Sequence, residues 1–199
     1  MAGLRESKKA ATRAAIAAAA AEIAMRDGAD AVTVAAIAEA ANVSTRTFHN
    51  YFASREEALG EYLRGSVEAL LAKAEGIPAT TSLFDTIELI LIDTILHDKN
   101  MRGTITALFT ISQQVDCMSP GQVPAEMKEL TQWFLERCYA RYPDHDRLRV
   151  QLAFQLAAHT AAAAIESELL HSGSMEATDQ LEQRIRKTFA LVRSGEFTR

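Results

Sequence analysis

Thr33-Val34-Ala35-Ala36-Ile37-Ala38-Glu39-Ala40-Ala41-Asn42-Val43-Ser44-Thr45-Arg46-Thr47-Phe48-His49-Asn50-Tyr51 reads as two short helices joined by a tight turn. Thr33 and Ser44 each stand just before a helix, where a hydroxyl accepts a hydrogen bond from the free amides of the first turn. Asn42 falls at the turn, and asparagine tolerates the left-handed backbone that a tight turn demands. Val34, Ile37, Ala38, Ala41, Val43, Phe48 and Tyr51 are the apolar positions. Their spacing packs the two helices at a steep angle, and Ala38 is small enough to admit the second one. This is a helix-turn-helix pattern, in which the second helix projects into a DNA major groove. Helical hairpins with similar apolar spacing also occur in proteins that never touch DNA.

Working outward, residues 8–27 form a helix with Ile16, Ala20, Ile23 and Ala24 on one face and Gly28 as its stop. On the other side, Ser54-Arg55-Glu56-Glu57 is a capping box that opens a helix over 55–75, which ends near Gly76-Ile77-Pro78. Further helices are expected at 82–97, 101–116, 123–142, 145–171 and 176–194, about nine in all. Segment 82–97 is apolar nearly all round, as a helix in the middle of a core would be. Only 9 Gly and 4 Pro punctuate 199 residues, and alanine runs favour helix, so the expected fold class is all-α.

Charge is divided unevenly along the chain. Seven cations (Arg5, Lys8, Lys9, Arg13, Arg26, Arg46, Arg55) against five anions leave residues 1–55 at +2, so the remainder carries −7 of a total of −5. A phosphate-binding surface is therefore confined to the N-terminal part. The cluster Arg5, Lys8, Lys9 and Arg13 reads either as an arm on the DNA backbone or as a soluble tail. No signal-peptide core and no membrane-spanning run is found, so a cytoplasmic protein is expected. Cys117 and Cys138 have no metal-ligand or disulfide spacing. The absence of a P-loop, a G-x-G-x-x-G turn, a nucleophile elbow or a metal motif argues against an enzyme, and no cofactor is expected.

The stretches Gly28-Ala29-Asp30-Ala31-Val32-Thr33-Val34 and Ser44-Thr45-Arg46-Thr47-Phe48-His49-Asn50-Tyr51-Phe52-Ala53-Ser54-Arg55-Glu56-Glu57-Ala58-Leu59 closely resemble the DNA-binding signature of TetR-family regulators. The resemblance covers about residues 8–62. It implies a helix-turn-helix DNA-binding domain at 1–53 and a helical domain at 54–199 that binds an effector and dimerises. Carried over by position, Thr33, Ser44, Thr45, Arg46, Thr47, His49, Tyr51 and Arg55 are the DNA contacts. Arg46 is the best base reader, because a guanidinium pairs bidentately with guanine. Arg55 fills the place of the family's usual lysine at a helix start, where a phosphate is favoured. Two positions depart from the pattern: Asn42 replaces the common glycine, and His49 stands where tyrosine is usual.

The last two helices carry the dimer expectation, through Leu152, Leu156, Ala161, Ile165, Leu181, Ile185, Phe189 and Val192. Two such helices from each of two copies would form a four-helix bundle and set two reading heads on a roughly palindromic operator. A cavity for an unidentified small-molecule effector is expected among the body helices, lined by Thr106, Phe109, Thr110, Gln113, Trp133, Phe134 and Phe154. For most of these, plain core or a solvated face is an equal or better reading. The resulting function is a repressor released from DNA by its effector, through a shift of the 55–75 helix. The alternatives are a redox-responsive regulator using Cys117 or Cys138, and an activator of the same fold.

Overall fold

In the computed structural model, residues 2–98, Ile105, Leu108, 123–172 and 179–195 are described. Among these the chain is all helical, with eight α-helices and no strand. They are α1 (Ala2–Asp27), α2 (Val34–Ala40), α3 (Thr45–His49), α4 (Arg55–Glu75), α5 (Leu83–His97), α6 (Ala125–Arg141), α7 (Arg147–Ser172) and α8 (Asp179–Ser194), with a short 3-10 turn at Ala29–Ala31. The helix expected at 101–116 lies outside the described residues, and with it Thr106, Phe109, Thr110, Gln113 and Cys117. Helix α1 begins at Ala2, several residues before the expected start, so the basic cluster lies on a helix.

The chain divides into two compact units, one of residues 1–68 with 106–132 and the other of 69–105 with 133–199. In the first, Ile16, Ala17, Ala20, Ile23 and Ala24 of α1 meet Val32, Ile37, Ala38, Phe48, Phe52 and Ala58 in one apolar core. Alanine-rich α1 suits this place, since small side chains let two short helices and the start of α4 lie close against it. Gly28 ends α1 with φ +85 and donates its amide to the Ala24 carbonyl at 3.1 Å, a stop that only glycine makes without strain.

In the second unit, α7 packs against both α5 and α8. One cluster gathers Leu83, Cys138, Tyr142 and Val150, with Phe134 and Phe154 stacked beside it at 4.6 Å between ring centroids. Helix α5 departs from the all-round burial expected of it. Leu91, Ile92 and Ile95 are buried, but so are Thr86 and Thr94, while Leu89 is exposed. Register explains the exchange: Thr86 and Thr94 sit two turns apart on the face that carries Leu83, and Thr86 is satisfied by the Tyr142 hydroxyl at 3.1 Å.

Candidate nucleic-acid interface

Each end of the helix-turn-helix is fixed by a side chain that the sequence places there. Thr33 has extended backbone and its hydroxyl accepts the Ala36 amide at 3.1 Å, opening α2. Asn42 turns the chain with φ 52, the left-handed conformation expected of it. The amide of Val43 then donates to the Ala38 carbonyl at 2.8 Å, tying the turn back onto α2. Ser44 opens α3 by accepting the Thr47 amide at 3.0 Å, and its hydroxyl also meets that of Thr47 at 2.8 Å. At the start of α4, Ser54 accepts the Glu57 amide at 3.0 Å, while Glu57 reaches back to the Ala53 amide at 2.7 Å. The capping box forms, with its return bond shifted one residue toward the N-terminus.

Helix α3 is thereby presented with one face inward and the other in water. Phe48 is fully buried, with Phe52 beside it at 5.9 Å between ring centroids. Ser44, Thr45, Arg46 and His49 are exposed, and Thr47 and Tyr51 are half-buried. Among the described residues Arg46 makes no ion pair, so its guanidinium stands in solvent at the front of α3. The ring of His49 lies edge-on to Phe48 at 5.4 Å, which orients it without burying it. Arg55 is partly engaged within the chain, donating from Nη1 to the Val32 carbonyl at 2.7 Å and from Nε to Glu56 at 2.7 Å. An exposed row of hydroxyls with one unpaired guanidinium, backed by a rigid apolar core, is what a groove-reading surface requires.

The family model for bacterial regulatory proteins of the tetR family matches residues 16–62, which span this whole constellation. Residues 16–62 are thus a tetR-family DNA-binding domain. Solved TetR-like structures share its fold across nearly the full length. A transcriptional regulator from Rhodococcus sp. Rha1 has a TM-score of 0.62 at 16% identity, covering 92% of this chain and 96% of that one. The fatty acid degradation regulator FadR from Bacillus halodurans has a TM-score of 0.64 at 15% identity, covering 94% and 97%. FadR from Bacillus subtilis, solved in complex with stearoyl-CoA, has a TM-score of 0.64 at 17% identity, covering 91% and 97%. No curated protein sequence matches the chain. With this domain the chain is a DNA-binding protein, and no helix among its described residues is long and apolar enough to cross a membrane.

Arg13 departs from both readings of the basic cluster, as an arm on DNA and as a soluble tail. It donates to both oxygens of Glu61 at 3.1 Å, to Glu57 at 3.5 Å and to the Tyr51 carbonyl at 2.6 Å, with its guanidinium 4.2 Å from the Phe52 ring centroid. Glu61 is held below the ordinary carboxylate range chiefly by the hydrogen bonds from Arg13. The signal for this was faint but present: Glu57 and Glu61 are acids at i, i+4 on α4 with no basic residue between them to pair with.

The residues expected to face a second copy divide. Leu181, Ile185 and Phe189 are fully buried within one chain and Ile165 nearly so. They have no surface left to offer a partner, which corrects that part of the expected interface: on α8 the apolar stripe is core. Leu152 and Leu156 on α7 are 55% and 50% exposed, and Leu148, one turn earlier, is 64% exposed. Ala161 and Val192 are half-buried.

Of the expected effector lining, Trp133 is half-buried, while Phe134 and Phe154 are spent on each other and on the cluster around Leu83. Cys138 is 3% exposed, and burial pushes its thiol up to about 12. At that value almost no thiolate exists at neutral pH, which counts against Cys138 as a redox sensor. Among the described residues no group of His, Cys, Asp and Glu is placed to hold a metal ion.

Proposed function

We propose that the chain is a homodimeric repressor: residues 1–53 read an operator through α3, and residues 54–199 dimerise and bind the small molecule that ends repression. The observation that carries the reading is the front of α3, where Arg46 stands unpaired among Ser44, Thr45 and His49 on a helix capped at its start and buried along its back. Arg46 reads a base; Ser44, Thr47, His49 and Tyr51 bond phosphates, as does Thr33 at the start of α2. Arg55 keeps its Nη2 for a phosphate, since Nε and Nη1 serve within the chain.

The exposed leucines 148, 152 and 156 recur every fourth residue on α7 and form an apolar stripe that a second copy would cover. Two-fold symmetry then sets two α3 helices about 34–36 Å apart, one DNA turn, on a palindromic site. The effector acts through its differential affinity for two conformations, of which one moves α4 and spoils that spacing. The Bacillus subtilis neighbour's stearoyl-CoA supports a ligand-binding body of this fold. At 17% identity it leaves the choice of ligand to this chain's own side chains.

The test is selection of duplexes from a random-sequence pool by the full chain. A palindromic consensus with half-sites one turn apart is expected. With Lys8, Lys9, Arg46 and Arg55 engaged in each subunit, log K should fall against log salt with a slope of about −7. Arg46→Ala should relax preference at one base pair per half-site, by about 1–3 kcal/mol. Binding indifferent to both salt and sequence would sink the reading.

A further inference from the structure

We propose that Arg13 is a positioning residue for DNA reading, one that locks α3 to the first two turns of α4 without itself touching DNA. The inference rests on the reading of α3 as the operator-reading helix. Helix α3 spans five residues, too few to hold a helical conformation or a fixed direction unaided. Its orientation comes from the buried Phe48 on its back and from what grips its ends. Ser44 grips the start. Arg13 grips the end, donating to the carbonyl of Tyr51 just past α3.

The same guanidinium binds Glu61 through a parallel pair of bonds from Nε and Nη2, and Nη2 also faces Glu57. Glu57 in turn holds the amide of Ala53, so the connection between α3 and α4 is bonded at both of its ends to one cluster. A second tie runs the opposite way. Arg55, the first residue of α4, donates to the carbonyl of Val32, immediately before the Thr33 cap of α2. Both outer ends of the helix-turn-helix are thus tied to the base of α4, one directly by Arg55 and the other through Arg13 of α1, which bonds the Tyr51 carbonyl and Glu57 and Glu61 together. A displacement of that base carries the reading helix with it.

Two features separate this role from a phosphate contact. First, Arg13 is heavily engaged: Nε, Nη1 and Nη2 each have a partner, four bonds from five N–H donors, and the ring of Phe52 lies against the guanidinium face. A bidentate phosphate would have to break part of this set, since only one donor is left over. Second, the planar fork is needed for the geometry, because a lysine ammonium has no parallel pair of donors to match a carboxylate. Ion pairs this exposed contribute little stability, so what Arg13 supplies is direction, and its loss should appear in binding more than in folding.

The experiment uses the full chain and a duplex that the unsubstituted chain has selected from a random pool. Affinity is measured across a salt series for Arg13→Gln, Arg13→Lys and Glu61→Gln, with the thermal melt of each variant as the folding check. Arg13→Gln and Glu61→Gln should each weaken binding by about tenfold with the salt slope unchanged, and Arg13→Lys should not restore it. A phosphate-contacting Arg13 gives the opposite pattern. Arg13→Gln would then flatten the slope by about 2 for the dimer, and Glu61→Gln would leave binding equal or tighter by freeing a cation. Either result overturns the proposal, as does unchanged affinity in all three variants. If the unsubstituted chain selects no sequence, the operator reading itself fails, and it does so before any variant is compared.

Discussion

The N-terminal region and the helical body bury opposite kinds of surface. In residues 1–68 the core is carbon from end to end, and the one buried polar side chain among the described residues there, Ser66, bonds the carbonyl of Tyr62 one turn back. The hydroxyls of Thr33, Ser44 and Ser54 sit at helix starts, each accepting a backbone amide. The body takes in Thr86, Glu88, Thr94, Thr160 and Glu168, and leaves Leu148, Leu152 and Leu156 in water. The hydroxyl of Thr94 is buried with no hydrogen-bond partner among the described residues. A region that must hold one shape hides apolar surface and satisfies its backbone locally. The body instead keeps polar groups inside and leucines outside, both at a cost in stability.

The strongest way to break this comparison is to remove carbon from the first core. Phe48→Ala should cost about 3–5 kcal/mol, because Phe48 is fully buried and its neighbours Ile37 and Phe52 belong to the same rigid cluster. Hydrogen exchange should then show α2 and α3 opening together, with α7 and α8 still protected. In the body the largest effect should come from charge. Glu168 is almost fully buried and its carboxylate takes the Arg184 guanidinium at 2.7 Å, with Ser167 on the same arginine at 2.9 Å. Arg184→Met strips the guanidinium from a buried carboxylate and should cost roughly 3 kcal/mol by denaturant titration. Adding Glu168→Gln to that variant should recover most of the loss. A Phe48→Ala cost below that of Arg184→Met would overturn the contrast between the two regions.

The same contrast explains what could be read in advance. Caps, the left-handed Asn42 and the buried Phe48 and Phe52 are local: each follows from a residue type and its spacing along one or two helices. The front of α3 was legible for that reason. Arg13 was not, because its partners Tyr51, Glu57 and Glu61 are about forty residues away, and a cation on a helix looks the same whether it meets solvent or a carboxylate. On α8, Leu181, Ile185 and Phe189 form one stripe that periodicity identifies, but periodicity says only that the stripe is covered, not whether α7 or a second chain covers it. Likewise the apolar run of α5 concealed which of its turns carry Thr86 and Thr94 inward, since their cover comes from residues such as Tyr142.

Smaller changes sharpen the picture of the first unit. Thr33→Ala and Ser44→Ala should each cost about 1 kcal/mol, since each hydroxyl satisfies a helix-start amide. Urea midpoints would register this. Asn42→Gly should be neutral or slightly stabilising, while Asn42→Val should cost about 1–2 kcal/mol, because a β-branched residue resists a φ of 52. An Asn42→Val chain as stable as the parent would mean that the turn is not left-handed.

The smallest effect separates the two regions by pH. Glu61 is held below its ordinary 4.5 by hydrogen bonds from Arg13, and Asp85 in the body is held below its ordinary 3.8 by the Ser82 hydroxyl and then by Arg193. A carboxylate with a lowered value in the folded chain binds fewer protons than it does unfolded. Its contribution is therefore complete above the ordinary value and is lost as pH falls through the lowered one. The window for Glu61 opens near 4.5 and that for Asp85 near 3.8, so the ties at the base of α4 should loosen first on acidification. Both acids are partly exposed, and added salt should shrink both effects. Hydrogen exchange at stepped pH should show α3 losing protection before the start of α5. Glu61→Gln should flatten the first step alone, and Asp85→Asn the second. If α5 opened first, or if Glu61→Gln left the acid response of α3 as it was, the bond network around Arg13 would not be what holds the reading helix in place.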